Sequence, residues 1–482
     1  MIDNFVMIWH PDSPLVQGAG LAKKTINVFM LTMINIATIL SVRNWPVTAE
    51  YGLASIFFIF LALIFFFFPA ALVSAELATG WPQKGGIFAW VKEGLGHRVG
   101  FLAVWLLWIE NVVWYPTILS FIAAAIAYIF MPSLAQSQTF MFCMILAIFW
   151  LLTYANLRGM KISGWISTVG VILGVFLPGA VIILLGFAWV FAGNTAQIDF
   201  TLTGLLPQSA HVPELAFLAG IMLSFCGIEM SAVHAKDVEQ PQKNYPKAIF
   251  LSAFLITALT ILGTMSIAII IPKDKISLVA GSMEAIDLFL RAFKMEWLVP
   301  GLAFFVAIGA MGTVSTWIAG PCRGLLAAAE KGDFPPFLQK TNQHNMPKSL
   351  LVIQAAIVTV LATAFIFMPN IQSSFWVLTV LASLLYSIMY MLLFISGIVL
   401  RYKHPKTKRE YKIPGGKTWG MWLTGLMGLI GMVFVIIIGF FPPPGVDVGS
   451  VLGFDLFLLL GAIVACGAPL LLYECRSESW IK

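Results

Sequence analysis

Twelve runs of apolar residues follow one another along this chain, each about as long as the ~20 residues a helix needs to cross ~30 Å of hydrocarbon. They lie near residues 25–49, 53–77, 99–129, 139–157, 166–191, 214–234, 247–271, 297–328, 349–368, 374–400, 419–441 and 451–473. No soluble fold accommodates that pattern. Of 482 residues, 60% are hydrophobic and 10% charged, against roughly 25% charged in globular domains, so the lipid bilayer is the partner of most of the surface. The expected fold class is an all-α polytopic membrane protein of twelve transmembrane helices, with no large domain outside the bilayer.

The few charges carry the topology. With the N-terminus placed in the cytoplasm, 23 of the 28 basic residues fall on that side, leaving Arg43, Lys273, Lys275, Arg291 and Lys294. The positive-inside rule then puts both termini in the cytoplasm, in a cell membrane that would be the inner one. The net charge of +6 is explained by orientation and calls for no nucleic acid. Residues 1–24, interrupted by Pro11 and Pro14, read as a cytoplasmic arm held at the interface by Trp9, not as a signal peptide.

Chemistry-bearing motifs are missing from the sequence. The five cysteines are scattered, no CxxC or histidine ligand spacing occurs, and HExxH, GxSxG and P-loop patterns are absent. No metal or cofactor is expected, and an enzyme is disfavoured. A nontransporting sensor would need a signalling domain, leaving a carrier of small molecules, monomeric or homodimeric.

Irregular backbone at membrane depth survives only where it is buried in protein or lines a polar cavity. Two spans show such interruptions. The first carries Asn35 to Pro46, including Ala37, Thr38, Ser41 and Arg43; the sixth carries Ser224, Phe225, Cys226, Gly227 and Glu229. They are five spans apart, and an odd offset turns the second unit over. The layout is therefore a five-plus-five inverted repeat, residues 25–191 and 214–400, with two extra helices in 419–473 and a short tail, 474–482. Broken helices at equivalent places of two such halves point to the substrate site.

An amino acid crossing a low-dielectric core needs partners for its carboxylate and its ammonium. Half-helix ends supply them, free N–H groups facing the carboxylate and unwound carbonyls the ammonium. Few charges sit within the spans; Arg43, Glu110 and Glu229, with Asp455 near an end, are functional candidates by default. Glu229 either carries protons or gates, or hydrogen-bonds backbone freed by the break; Glu110 either pairs with a neighbouring helix or takes part in transport.

Further motifs carry a resemblance. These are Ala75-Glu76-Leu77-Ala78-Thr79-Gly80-Trp81-Pro82, Gly85-Gly86-Ile87-Phe88-Ala89-Trp90-Val91, Gly227-Ile228-Glu229, Asp237-Val238-Glu239-Gln240-Pro241, Trp317-Ile318-Ala319-Gly320-Pro321-Cys322-Arg323-Gly324 and Ile413-Pro414-Gly415-Gly416-Lys417. Together they resemble the amino acid, polyamine and organocation transporter superfamily, more narrowly its bacterial glutamate/γ-aminobutyrate antiporter branch. The resemblance implies a LeuT-like fold with broken helices one and six, and alternating access in which helices one, two, six and seven move against three, four, eight and nine. It places Trp317, Tyr386 and Tyr390 at the substrate pocket, beside the two breaks. Glu76 and Arg323 read as gating or structural residues at the cytoplasmic mouth, where Arg323 either pairs with Asp237 and Glu239 or all three sit in solvated loops.

Departures from the branch bear on the substrate. Arg43 stands in place of an aromatic residue, Asn44 and Thr313 in place of acids, and Leu223 where arginine/agmatine exchangers carry a gating tryptophan. The expected substrate is thus a zwitterionic or acidic amino acid, with Arg43 meeting its carboxylate or capping the outer gate. Exchange is expected over proton-coupled symport. The branch's long plugging tail has no counterpart in residues 474–482, so no tail-mediated shut-off is expected; pH dependence would fall to Glu229 or His234.

Overall fold

The structure of the chain is a computed structural model that describes residues 26–81, 86–159, 172–207, 212–232, 238–477 and 480. The arm of residues 1–24, Lys84, Gly85, His234 and Asp237 lie outside the described residues. Among the described residues, eleven helices are long and apolar enough to cross a membrane, and a bent pair completes a twelfth span. The first span is that pair, Val28–Ile39 and Val42–Ala49, bent by 45°. Gly52–Gly80, His97–Phe130, Gln138–Leu157, Leu173–Phe191 and Pro213–Met230 follow as spans two to six. Pro241–Ile270, Glu296–Leu326, Lys348–Phe367, Ile371–Lys403, Trp419–Gly439 and Val451–Glu474 complete the series. Among the described residues there is no strand, only a bridge between Ile26 and Val238.

The seventh span begins at Pro241, ahead of the residue 247 read from hydropathy. Pro241 sits in the first turn, where a fixed φ suits a helix and the missing N–H has no partner to lose. Pro246 is tolerated inside because the carbonyl it leaves free belongs to exposed Gln242. Two connections between spans contain helices, Ile87–Leu95 after the second span and Gly281–Ala292 after the seventh. They are again five spans apart, so the repeat extends to its connecting elements.

The inversion is visible in contacts between the halves. Where the chain enters the first span, the Ile26 carbonyl accepts the Glu239 N–H at 3.0 Å, just after the sixth span ends. At the other face, the Ser282 hydroxyl donates to the Val42 carbonyl at 2.6 Å. Spans one, two, six and seven pack as one group, and three, four, eight and nine as another, with the tenth against the third. The third and tenth are the most enclosed, while only 17% of the twelfth is buried. Its Leu459, Leu460, Ile463 and Val464 are left on the outside, as suits a peripheral, lipid-facing helix.

One close approach sets the upper half of the first span. Trp45 lies over Gly263 of the seventh, where an added Cβ would come within 2.3 Å of the indole ring. Only glycine fits beneath that ring.

The ends carrying Lys92, Arg98, Lys403 and His404 lie together on one side, termed here the basic face. Lys403 Nζ donates to the Glu93 carbonyl at 2.9 Å, Arg98 pairs with Glu474 at 2.9 Å, and His97 meets Asp333 at 2.8 Å. Lys273, Lys275 and Arg291 lie at the opposite ends of the spans, the far face.

Candidate functional site

The two interrupted helices break in different ways. In the first span the helix stops at Ile39, Leu40 and Ser41 are extended, and a short 3₁₀ turn over Val42–Asn44 leads into Trp45–Ala49. Ser41, whose hydroxyl competes for backbone groups and disfavours a helix interior, sits at the break, and Pro46 is compatible with the first turn of the new helix. In the sixth span Phe217–Ser224 ends, and helix resumes at Ile228–Ala232. Gly227 has φ +109°, which L side chains rarely adopt, and a Cβ there would lie 3.1 Å from the Thr38 methyl and 3.4 Å from the Trp317 ring. Glycine thus permits both the turn and the approach of the two breaks.

Between them lies a cavity of about 70 Å³, room for a few water molecules. Its wall contains Ala37, Thr38, Ser41 and Arg43 of the first span, Ser224 and Cys226 of the sixth, and Trp317 and Tyr386. Span three contributes Glu110, Asn111, Trp114 and Ile118. Glu110, Trp114 and Ile118 recur every four residues and so share one helix face. That periodicity was available in the sequence, but Trp114 and Ile118 gave no chemical signal of their own.

Arg43 is 5% exposed. Its Nη1 donates to Asn44 Oδ1 at 2.9 Å and its Nη2 to Thr117 Oγ1 at 2.7 Å. The guanidinium also lies over the rings of Trp114 and Phe375, 5.6 and 5.2 Å from their centroids. Glu110 is 3% exposed and accepts a hydrogen bond from Asn111 Nδ2. Among the described residues, neither Arg43 nor Glu110 has an ion-pair partner.

Four of the residues expected at the pocket point elsewhere. Asn35 donates to Ser252 Oγ at 2.8 Å, toward span seven, and Phe225 packs edge-on against Phe67 of span two. Tyr390 and Gly227 stand behind the wall, the Gly227 N–H donating to the Tyr390 hydroxyl at 3.3 Å. Glu229 lies in the same layer, its two oxygens accepting from the hydroxyls of Tyr386 and Tyr390. A buried carboxylate thereby ties the resumed helix of the sixth span to the tenth.

The two residues read as gates are at the basic face, away from the cavity. Glu76 is fully buried between Arg401, whose Nε lies 2.6 Å from Oε1, and Arg409 at 3.2 Å, and it also accepts the Ile413 N–H at 2.8 Å. Arg323 reaches Met346 Sδ at 3.5 Å. It forms no ion pair with exposed Glu239, and Asp237 lies outside the described residues.

A larger cavity of about 580 Å³ opens at the far face, lined by Glu50, Tyr51, Asp199, Glu214 and Lys273 among others. Burial pushes the Glu50 carboxyl up to about 7, opposed by Lys273 and reinforced by Asp274. Burial likewise brings Glu284 of the connecting helix to about 7, opposed by the Ser277 N–H. A raised carboxyl pKa favours the protonated folded state. Its contribution to stability is full below the ordinary carboxylate range and is lost as pH rises through about 7. Thermal unfolding in detergent should therefore show the far face weakening from pH 5 to 8, and Glu50→Gln with Glu284→Gln should flatten that slope. An unchanged slope in the double variant would refute the assignment.

Known proteins place this architecture. The chain is 38% identical to an uncharacterized transporter of Legionella pneumophila, covering 95% of this chain and 98% of the relative. It is 33% identical to a glutamate/gamma-aminobutyrate antiporter of Lactococcus lactis, covering 95% and 92%. A probable agmatine/putrescine antiporter of Lactococcus lactis is 24% identical over 82% of this chain and 83% of the relative. The amino acid permease profile matches residues 26–464, most of the length over which the spans and both breaks were traced. By that match and those relatives, the chain is a transporter of the amino acid permease family.

Proposed function

We propose that this transporter exchanges zwitterionic or acidic amino acids, of the glutamate and γ-aminobutyrate kind, by alternating access. The observation that carries the reading is the cavity enclosed by both helix breaks, with Arg43 and Glu110 in its wall. Identity to the glutamate/gamma-aminobutyrate antiporter supports it. Repeats over residues 25–191 and 214–400 rock about the cavity, the basic face looks into the cytoplasm, and the membrane is the inner one.

The exchange has three requirements. The cavity must open to one face at a time, the substrate's charges must be met inside, and the empty carrier must reorient slowly. Thr38, Ser41 and Ser224 offer hydroxyls beside the breaks, Arg43 a positive charge and Trp317 an aromatic lid. Glu229, Tyr386 and Tyr390 link the sixth and tenth spans, so movement of the resumed half-helix is felt in the wall at Tyr386.

Purified protein in liposomes preloaded with unlabelled glutamate or γ-aminobutyrate should take up labelled glutamate several-fold faster than empty liposomes. Uptake confined to arginine or diamines would overturn the reading. Proton-coupled symport is the second reading, favoured by the two buried carboxylates Glu110 and Glu229. It predicts equal uptake into empty liposomes under an inward proton gradient.

A further inference from the structure

We infer that Arg43 and Glu110 are the two charge poles that orient the substrate, Arg43 taking a carboxylate and Glu110 an ammonium. The inference rests on the amino-acid reading above and adds which residue meets which end. Its basis is the arrangement of two charges in one wall. Arg43 and Glu110 both line the cavity and both are buried, yet neither neutralises the other or is neutralised by a described neighbour. An uncompensated charge at membrane depth is costly. Two of opposite sign in one cavity are best compensated by a ligand that carries both signs itself.

Both poles are held by the third span. The Arg43 guanidinium is anchored on Thr117 and covers Trp114, and Glu110 is held by its own neighbour Asn111. Residues 110, 114 and 117 lie within two turns of one helix, so a ligand bound against that stretch meets a cation toward one end and a carboxyl group toward the other. The residues beside each pole agree with its sign. Asn44 and Thr117 hold two guanidinium nitrogens by oxygen acceptors, leaving its charge unneutralised, and Asn111 holds one carboxylate oxygen of Glu110.

The test measures inhibition of labelled uptake in proteoliposomes by four probes: alanine, γ-aminobutyrate, the diamine putrescine and the dicarboxylate glutarate. Wild-type protein should be inhibited best by γ-aminobutyrate. Arg43→Gln should weaken γ-aminobutyrate and glutarate at least tenfold while putrescine gains relative to both. Glu110→Gln should do the reverse, weakening γ-aminobutyrate and putrescine while glutarate gains. These opposite shifts in rank are not produced by a merely structural defect. Arg43→Lys and Glu110→Asp, which keep each charge, should retain the wild-type order, and ligand-dependent thermal stabilisation in detergent gives the same ranking for a variant too slow to assay. Failure of wild-type protein to move any amino acid would sink the proposed function itself. Amino-acid transport with an unchanged probe order in both glutamine variants, or with equal losses for all four probes, would overturn the pole assignment alone.

Discussion

Glu76→Ala is expected to lower stability by about 3–5 kcal/mol, the cost of breaking a buried ion pair and leaving its partner charged. The carboxylate faces two guanidinium groups, and removing it leaves Arg401 and Arg409 side by side without a counter-charge. Arg401 cannot turn to water, since its other nitrogens donate to the Ile413, Gly416 and Lys417 carbonyls. The connection between the tenth and eleventh spans is folded around this pair, and the Thr79 hydroxyl of the second span donates to the Tyr411 carbonyl and accepts the Tyr411 N–H. Loss of a monodisperse peak in size-exclusion chromatography, and a much lower melting temperature, are the expected readouts. The double variant Glu76→Gln, Arg401→Gln should recover part of the loss, because it removes a charge from each side. Wild-type melting in Glu76→Ala would show that the cluster contributes little.

Glu229→Ala is expected to reduce exchange on the order of a hundredfold with a smaller effect on folding. Two tyrosine hydroxyls lose their shared acceptor, each stranded at roughly 1–3 kcal/mol, and the resumed half-helix loses its tie to the tenth span. Tyr386→Phe and Tyr390→Phe remove one donor each and should cost several-fold. Glu229→Gln keeps an acceptor for one hydroxyl, so it should be milder than alanine, at about tenfold. Initial rates of counterflow measured from pH 5 to 8 separate the two roles of Glu229. A positioning role lowers the rate of the glutamine variant at every pH, whereas a proton-carrying role makes it independent of pH. Full activity of Glu229→Ala at all pH values would exclude both.

The spans were legible because lipid imposes one rule on every residue of a helix, and runs such as Ile56 to Phe68 satisfy it without reference to the rest of the chain. The breaks were legible for the related reason that Pro46 and Gly227 alter the backbone locally. What sequence did not convey is rotation about the helix axis. Asn35 and Thr38 lie within one turn, yet Ser252 draws Asn35 toward the seventh span while Thr38 faces the cavity. Phe225 turns to Phe67 by the same kind of neighbour choice. Nor did it reveal that Glu76 closes on Arg401, a partner 325 positions away in the chain. The connecting helix Gly281–Ala292 escaped because its polar and apolar residues are mixed for a surface half in water.

The hydrogen bond from Glu239 to Ile26 joins the chain entering the first span to the chain leaving the sixth. Because the two broken spans run in opposite directions, their basic-face halves are adjacent, and this bond stitches them together. Under the proposed alternating access, a swing of either half-helix about its break is resisted unless this bond moves with it or opens.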